Sequence, residues 1–286
     1  MGSGVPVGGC FTPLWPHDGR CFWFEKPGEA KMSHRKLGNF TRCTLAACLA
    51  GVGVSALPVD AGAADKMLGY ANGAYDTVIY GSFDFSHASS DQNGYGADAG
   101  FVTAINGDIT TTGWTLTANV GVSRSNDVAT DTTSFNGSVL GGYQWHTPAY
   151  YFALNAGVHF VNNDDNPSGG PTDGSEAGVI AQYGFETKAV DAFYVQSYGA
   201  LSSVYDQIYF HAKAGWKTQQ LKYGAEFTAS DEKDSGGTLR YGAFIGDIPL
   251  GMASVGISAG FQQELEAGKK DGFYSMVEMS MPLDIR

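Results

Sequence analysis

Four carboxylates (Glu176, Glu186, Glu226 and Glu278) and three basic side chains (His211, Lys213 and Arg240) fall within stretches where apolar and polar residues alternate. Together with Tyr194, Tyr198 and Tyr209 they occupy the polar parity of those stretches. Two carboxylates held at a fixed separation can hydrolyse a glycosidic bond, and Glu186 with Glu226 is the pair to weigh. Sequence does not set their separation. The competing use is internal pairing with Lys213 or Arg240, because charges turned inward are costly unless paired. The same side chains suit a polysaccharide surface, where tyrosine rings stack on sugar faces and carboxylates, amides and guanidinium groups bond hydroxyls. The one G-x-S-x-G match, "GISAG" at 256–260, falls inside an alternating stretch and not on the strand-to-helix turn that a nucleophile elbow needs, and zinc-like Cys/His spacing is missing. No catalytic residue, metal or cofactor is expected.

The acidic stretch "NNDDNPSGGPTDGSE" at 162–176 invites a calcium reading, since Asp164, Asn166, Ser168 and Gly169 match EF-hand positions one, three, five and six. Position twelve then falls on Ser175 rather than Glu176, and no helix flanks the loop. A solvated loop is the better expectation.

The elements that must position these side chains are strands. "WTLTANVGV" at 114–122 alternates Trp114, Leu116, Ala118, Val120 and Val122 with Thr115, Thr117, Asn119 and Gly121, the period of a strand with two unlike faces. From residue 77 onward such segments recur between Gly/Asn/Asp/Ser/Pro clusters. They predict twelve strands over about 77–87, 96–105, 113–123, 134–146, 149–161, 176–187, 193–202, 207–216, 221–229, 238–246, 253–262 and 273–281. Connections after odd strands read as mostly long (88–95, 124–133, 162–175, 230–237, 263–272), and those after even strands as mostly short. Long loops on one side and an even strand number fit an up-and-down antiparallel β-barrel of the outer-membrane type.

On that reading Trp114, Leu116, Val120, Phe135, Val139, Tyr143, Trp145, Val179, Tyr183, Phe185, Leu221, Tyr223, Phe227, Val255, Ile257 and Phe261 face lipid. The opposite parity lines the lumen: Asn119, Gln144, His146, Asn155, His159, Gln182, Lys188 and Gln196 join the residues named first. A soluble sandwich or lipocalin-like barrel shares the alternation and is the competing fold. The ending "SMVEMSMPLDIR" lacks the terminal aromatic usual in outer-membrane barrels.

The 286-residue chain is rich in glycine (40) and aromatics (13%), poor in charged residues (16%) and acidic, with net charge −12. That balance argues against nucleic acid, whose phosphates need basic clusters. All cysteines (Cys10, Cys21, Cys43, Cys48) lie near the N-terminus, which excludes a disulfide framework for the main body. From Met32 the pattern is that of a secretory signal: a basic segment (His34, Arg35, Lys36, Arg42), an apolar run over 44–57 and Ala61-Gly62-Ala63 as a cleavage site. The apolar run falls short of the roughly 20 residues that span a bilayer. The expected organisation is therefore an unpatterned extension over 1–31, upstream of the true start, a signal peptide over 32–63 and one barrel domain over 64–286.

"YGSFDFS" (80–86), "GGYQWH" (141–146), "GSEAGVIAQ" (174–182), "KYGAEF" (222–227), "LRYGAFIGDIPLG" (239–251), "SVGISAGF" (254–261) and "DGFYSMVEM" (271–279) occur in an order that resembles the BcsS family of bacterial cellulose-biosynthesis accessory proteins. The resemblance spans about 77–281. It implies an exported, outer-membrane protein tied to cellulose production or export, with membrane lipid and cellulose or other cellulose-synthesis components as partners. It brings no catalytic residues. Glu176, Glu226 and Arg240 fall within the matched motifs and are candidates for structural or glucan-contacting roles. A general porin and a soluble periplasmic glucan-binding domain are the alternatives.

Overall fold

The computed structural model describes residues 75–89, 92–127, 130–233, 236–266 and 269–285. The expected extension and signal peptide lie outside these residues. The described chain forms β1 (Thr77–Ser89), β2 (Gln92–Ala104), β3 (Gly113–Asn126), β4 (Asp131–His146), β5 (Tyr150–Asn166), β6 (Gly174–Thr187), β7 (Ala192–Ser202), β8 (Ile208–Lys217), β9 (Lys222–Glu232), β10 (Gly236–Leu250), β11 (Ala253–Glu264) and β12 (Gly272–Leu283). Each strand pairs antiparallel with its sequence neighbours, and β12 returns to β1 from Thr77↔Leu283 to His87↔Phe273. The barrel is closed, so no ladder of unpaired N–H and C=O groups is left at an edge. Pro282, in the final strand without a terminal aromatic, stands opposite Val78 near the strand's end, where its missing N–H costs little.

The alternation sorts side chains as expected. On β3, Trp114 (63% exposed) and Val120 (52%) point outward, while Thr115, Thr117 and Asn119 are buried in the lumen. The outer face carries valines and leucines at mid-height, among them Val139, Leu154, Val158 and Val179. Aromatic rings gather towards both ends. At the end where β1 begins and β12 stops (the terminal end), Trp114, Tyr143, Trp145 and Phe152 form a chain of ring contacts with centroids 4.9–5.5 Å apart. At the distal end Tyr241, Phe261 and Phe273 do the same at 5.4 and 6.0 Å. From Phe135 to Trp145 along β4 is roughly 33 Å at 3.3 Å per residue. With a barrel strand's tilt this becomes about 25 Å along the axis, the height of an outer-membrane apolar band.

The loop asymmetry resolves differently from the expectation. Strand extensions shorten the segments read as long distal loops: β2 begins at Gln92, β5 runs to Asn166, and β10 starts at Gly236, which leaves 167–173 and 265–271 as the longest distal connections. These extensions are polar on both faces because they rise above the apolar band, so alternation does not report them. The 105–112 connection, at the terminal end, is at least as long as these, and it folds back into the barrel mouth. Ile109 inserts among Val78, Tyr80, Val102 and Ala104. Its carbonyl and that of Thr111 accept hydrogen bonds from Gln144 Nε2 at 2.8 and 2.7 Å.

Glycine makes room for the lumen's large side chains. A Cβ on Gly100 would sit 2.9 Å from the Tyr80 ring and 2.5 Å from Asn119 Oδ1, and one on Gly242 would sit 2.7 Å from the Tyr274 hydroxyl.

Candidate functional site

The lumen is braced by three groups of paired side chains, which follow one another from the terminal end towards the distal rim. In the lowest, Lys222 at the start of β9 lies 2.5 Å from Glu186 of β6 and 3.5 Å from Asp247 of β10, with its ammonium 4.8 Å above the Tyr194 ring. Tyr194 is fully buried and donates to Gln196 at 3.0 Å. Asp247 reaches the lumen through a bulge: the β10–β11 register shifts between Ile245 and Ile248, and Asp247 adopts φ 62°. An extra residue of this kind re-aims a side chain that simple alternation would turn elsewhere.

The middle group centres on Glu226. Its carboxylate accepts from the Tyr274 hydroxyl at 2.9 Å and lies 3.2 Å from His211 Nε2 and 3.6 Å from Lys213. Lys213 is also paired with Glu278 and stands 5.4 Å from the Phe244 ring centroid. The other nitrogen of His211, Nδ1, meets the Tyr198 hydroxyl, which shares a 3.1 Å hydrogen bond with Tyr209. Charges this deep require partners because desolvation costs several kcal/mol per ion.

The upper group is wetter. Arg240 of β10 donates to Gln262 Oε1 at 2.8 Å, lies 3.6 Å from Asp84 and has its guanidinium 5.4 Å from the Tyr274 ring centroid. Above it opens a vestibule of about 360 Å³, with polar walls and a floor formed in part by Tyr198, Tyr209 and Met276. Below, Tyr194, Leu140, His211, Gln144 and Glu186 fill the lumen. Among the described residues the barrel is thus a blind cup, open at the distal end.

The rim is uneven. After β7 the chain makes a 3-10 turn, Val204–Asp206, that tucks inward so that Val204 and Tyr205 pack on Val161. Tyr205 donates to the Gly174 carbonyl at 3.0 Å. Burial, reinforced by Glu176 and Glu232, pushes its phenol above the ordinary value and keeps the proton on this donor.

The sequence candidates therefore separate. Lys213, Glu226, Glu278, His211, Tyr198 and Tyr209 converge, while Glu186 with Tyr194 belongs to the lower group and Arg240 to the vestibule floor. Glu176 stands apart on β6, near Tyr205. Glu186 and Glu226, the pair weighed for glycoside hydrolysis, are each buried in a different ion-paired group. Lys188 and His146, both assigned to the lumen, meet at 3.0 Å. The members that escaped the sequence reading include Lys222, Asp247, Tyr274, Asp84 and Gln262. Lys222 shares the parity of Glu226 within "KYGAEF" and was legible there; Asp247 sits on the bulge and was not.

Residues 78–283, from the start of β1 to the end of β12, match the family described as cellulose biosynthesis protein BcsS. The chain belongs to the BcsS family. No curated protein sequence matches it. Among solved structures it is similar to the beta domain of the Bordetella autotransporter BrkA, with 12% identity, 73% of this chain and 99% of that one covered, and a TM-score of 0.43. It is also similar to LpxR from Salmonella typhimurium, with 11% identity, 71% and 99% covered, and a TM-score of 0.43. In this BcsS-family chain, "KYGAEF" supplies Lys222 and Glu226, "LRYGAFIGDIPLG" supplies Arg240 and Asp247, and "DGFYSMVEM" supplies Tyr274 and Glu278. Three of the motifs that carry the family resemblance thus contribute side chains to the lumen.

Proposed function

We propose that this protein is a non-enzymatic accessory of bacterial cellulose production or export, carried out of the cytoplasm by its signal peptide and seated in the outer membrane. The observation that carries this reading is the BcsS-family match across the whole barrel. The outward apolar band between two sets of aromatic rings supports membrane lipid as its surroundings and weighs against a soluble periplasmic domain. The side chains filling the lower lumen weigh against a general porin. Burial of Glu186 and Glu226 in separate ion-paired groups supports a bracing role rather than acid–base chemistry at a bound sugar.

In a clean deletion strain, under conditions where the parent makes cellulose, cellulose output is expected to fall several-fold and to return on complementation. Unchanged output would overturn the accessory role.

A further inference from the structure

The distal vestibule has the chemistry of a ligand site rather than of a conduit. Its volume of about 360 Å³ lies within the range of small-ligand pockets, and it ends on the filled lower lumen. Its floor offers an aromatic ring, the half-buried Tyr209, backed by the buried Tyr198 on which it stacks at 5.6 Å with an interplanar angle of 26°. Several wall carboxylates accept from uncharged donors: Asp165 from the Thr132 hydroxyl at 2.7 Å, Glu232 from the Gln207 amide at 3.0 Å, and Asp127, which also lies 3.8 Å from Lys269 Nζ, from the Gln92 amide at 2.8 Å. These are the bonds a sugar hydroxyl makes with a carboxylate. The lining sets seven carboxylates against four cations (Arg124, Arg240, Lys269 and Lys270), a negative balance that disfavours anionic polymers through like-charge repulsion. Aromatic floor, hydroxyl and amide walls and negative charge together select a neutral, polyhydroxylated ligand.

We propose that the vestibule binds a segment of uncharged glucan from the distal side, with a sugar face on the Tyr209 ring. This rests on the cellulose-accessory reading and gives it a site. Because the cup is blind, the glucan docks in the barrel and does not thread through it.

The test is calorimetric titration of the full chain, folded in detergent micelles, with cellohexaose and with oligogalacturonate of the same length. Cellohexaose is expected to bind and oligogalacturonate not to. Ser134→Trp, on a wall residue of β4, fills the vestibule and is expected to weaken cellohexaose binding roughly tenfold or more, while the barrel keeps its folded mobility on an unboiled gel. Ser230→Trp, from β9, serves the same purpose if the first variant does not fold. Absence of cellohexaose binding to the folded chain, binding unaffected by the tryptophan that folds, or equal binding of oligogalacturonate would each overturn the proposal. Lack of binding alongside a cellulose defect on deletion would overturn the vestibule site alone. Unchanged cellulose output would overturn the accessory role itself.

Discussion

Lys222→Met is expected to lower the stability of the folded barrel by about 3–5 kcal/mol, the cost of breaking a buried ion pair by removing one partner. Lys222 stands between Glu186 at 2.5 Å and Asp247 at 3.5 Å, and all three side chains are almost wholly buried. Its removal brings two carboxylates together in the lumen without the cation that compensates both. The aliphatic part of the lysine is retained by methionine, so lost packing contributes little. The readout is the urea midpoint of unfolding in micelles, followed by the fraction that keeps folded mobility on an unboiled gel. Adding Glu186→Gln and Asp247→Asn to Lys222→Met is expected to recover part of the loss, because replacing a whole buried ionic group by neutral ones is often close to neutral. A midpoint equal to that of the unaltered chain would mean that Lys222 is not the cation holding the lower lumen together.

Val120→Arg is expected to destabilise the barrel in lipid vesicles by about 2–4 kcal/mol, the cost of an arginine facing the middle of the bilayer. Val120 is outward on β3, opposite Ala99 and Gly137, and 52% exposed. Ile105, at the terminal end of the barrel, is similarly exposed. Ile105→Arg is expected to cost only about 0–1 kcal/mol, since charge is tolerated near the interface. The contrast separates lipid from water: on a protein surrounded by water both arginines would be surface substitutions of similar, small effect. Equal and small losses at the two positions would contradict an apolar face turned to lipid.

What the residues disclosed by themselves follows from where alternation applies. "WTLTANVGV" assigned both faces of β3, because each strand within the apolar band carries apolar side chains outside and polar ones in the lumen. The same parity placed Glu226, Lys213, His211 and Glu278 in the lumen, where they meet. Above the band both faces meet water, the two-residue period fades, and the polar ends of β5 and β10 read as loops. Alternation also fails at a bulge, which is why Asp247 was taken for a turn residue although it completes the lowest ion-paired group. The inward fold of the 105–112 connection depends on Ile109 finding Val78, Tyr80 and Val102, contacts between strands that no local pattern encodes. Parity likewise says which side chains enter the lumen but not at what height, so Glu186 and Arg240 were grouped with Glu226 although each belongs to a different level. Glu176 shares their parity and lies beyond all three groups.

The proposed function requires the aromatic-flanked outer face to be embedded in a membrane. Fractionation of cells producing the protein, followed by electrophoresis of boiled and unboiled samples, tests this directly. The predicted result is recovery in the outer-membrane fraction, with the unboiled protein running ahead of the boiled one. Recovery in the soluble periplasmic fraction, with the same mobility before and after boiling, would contradict it.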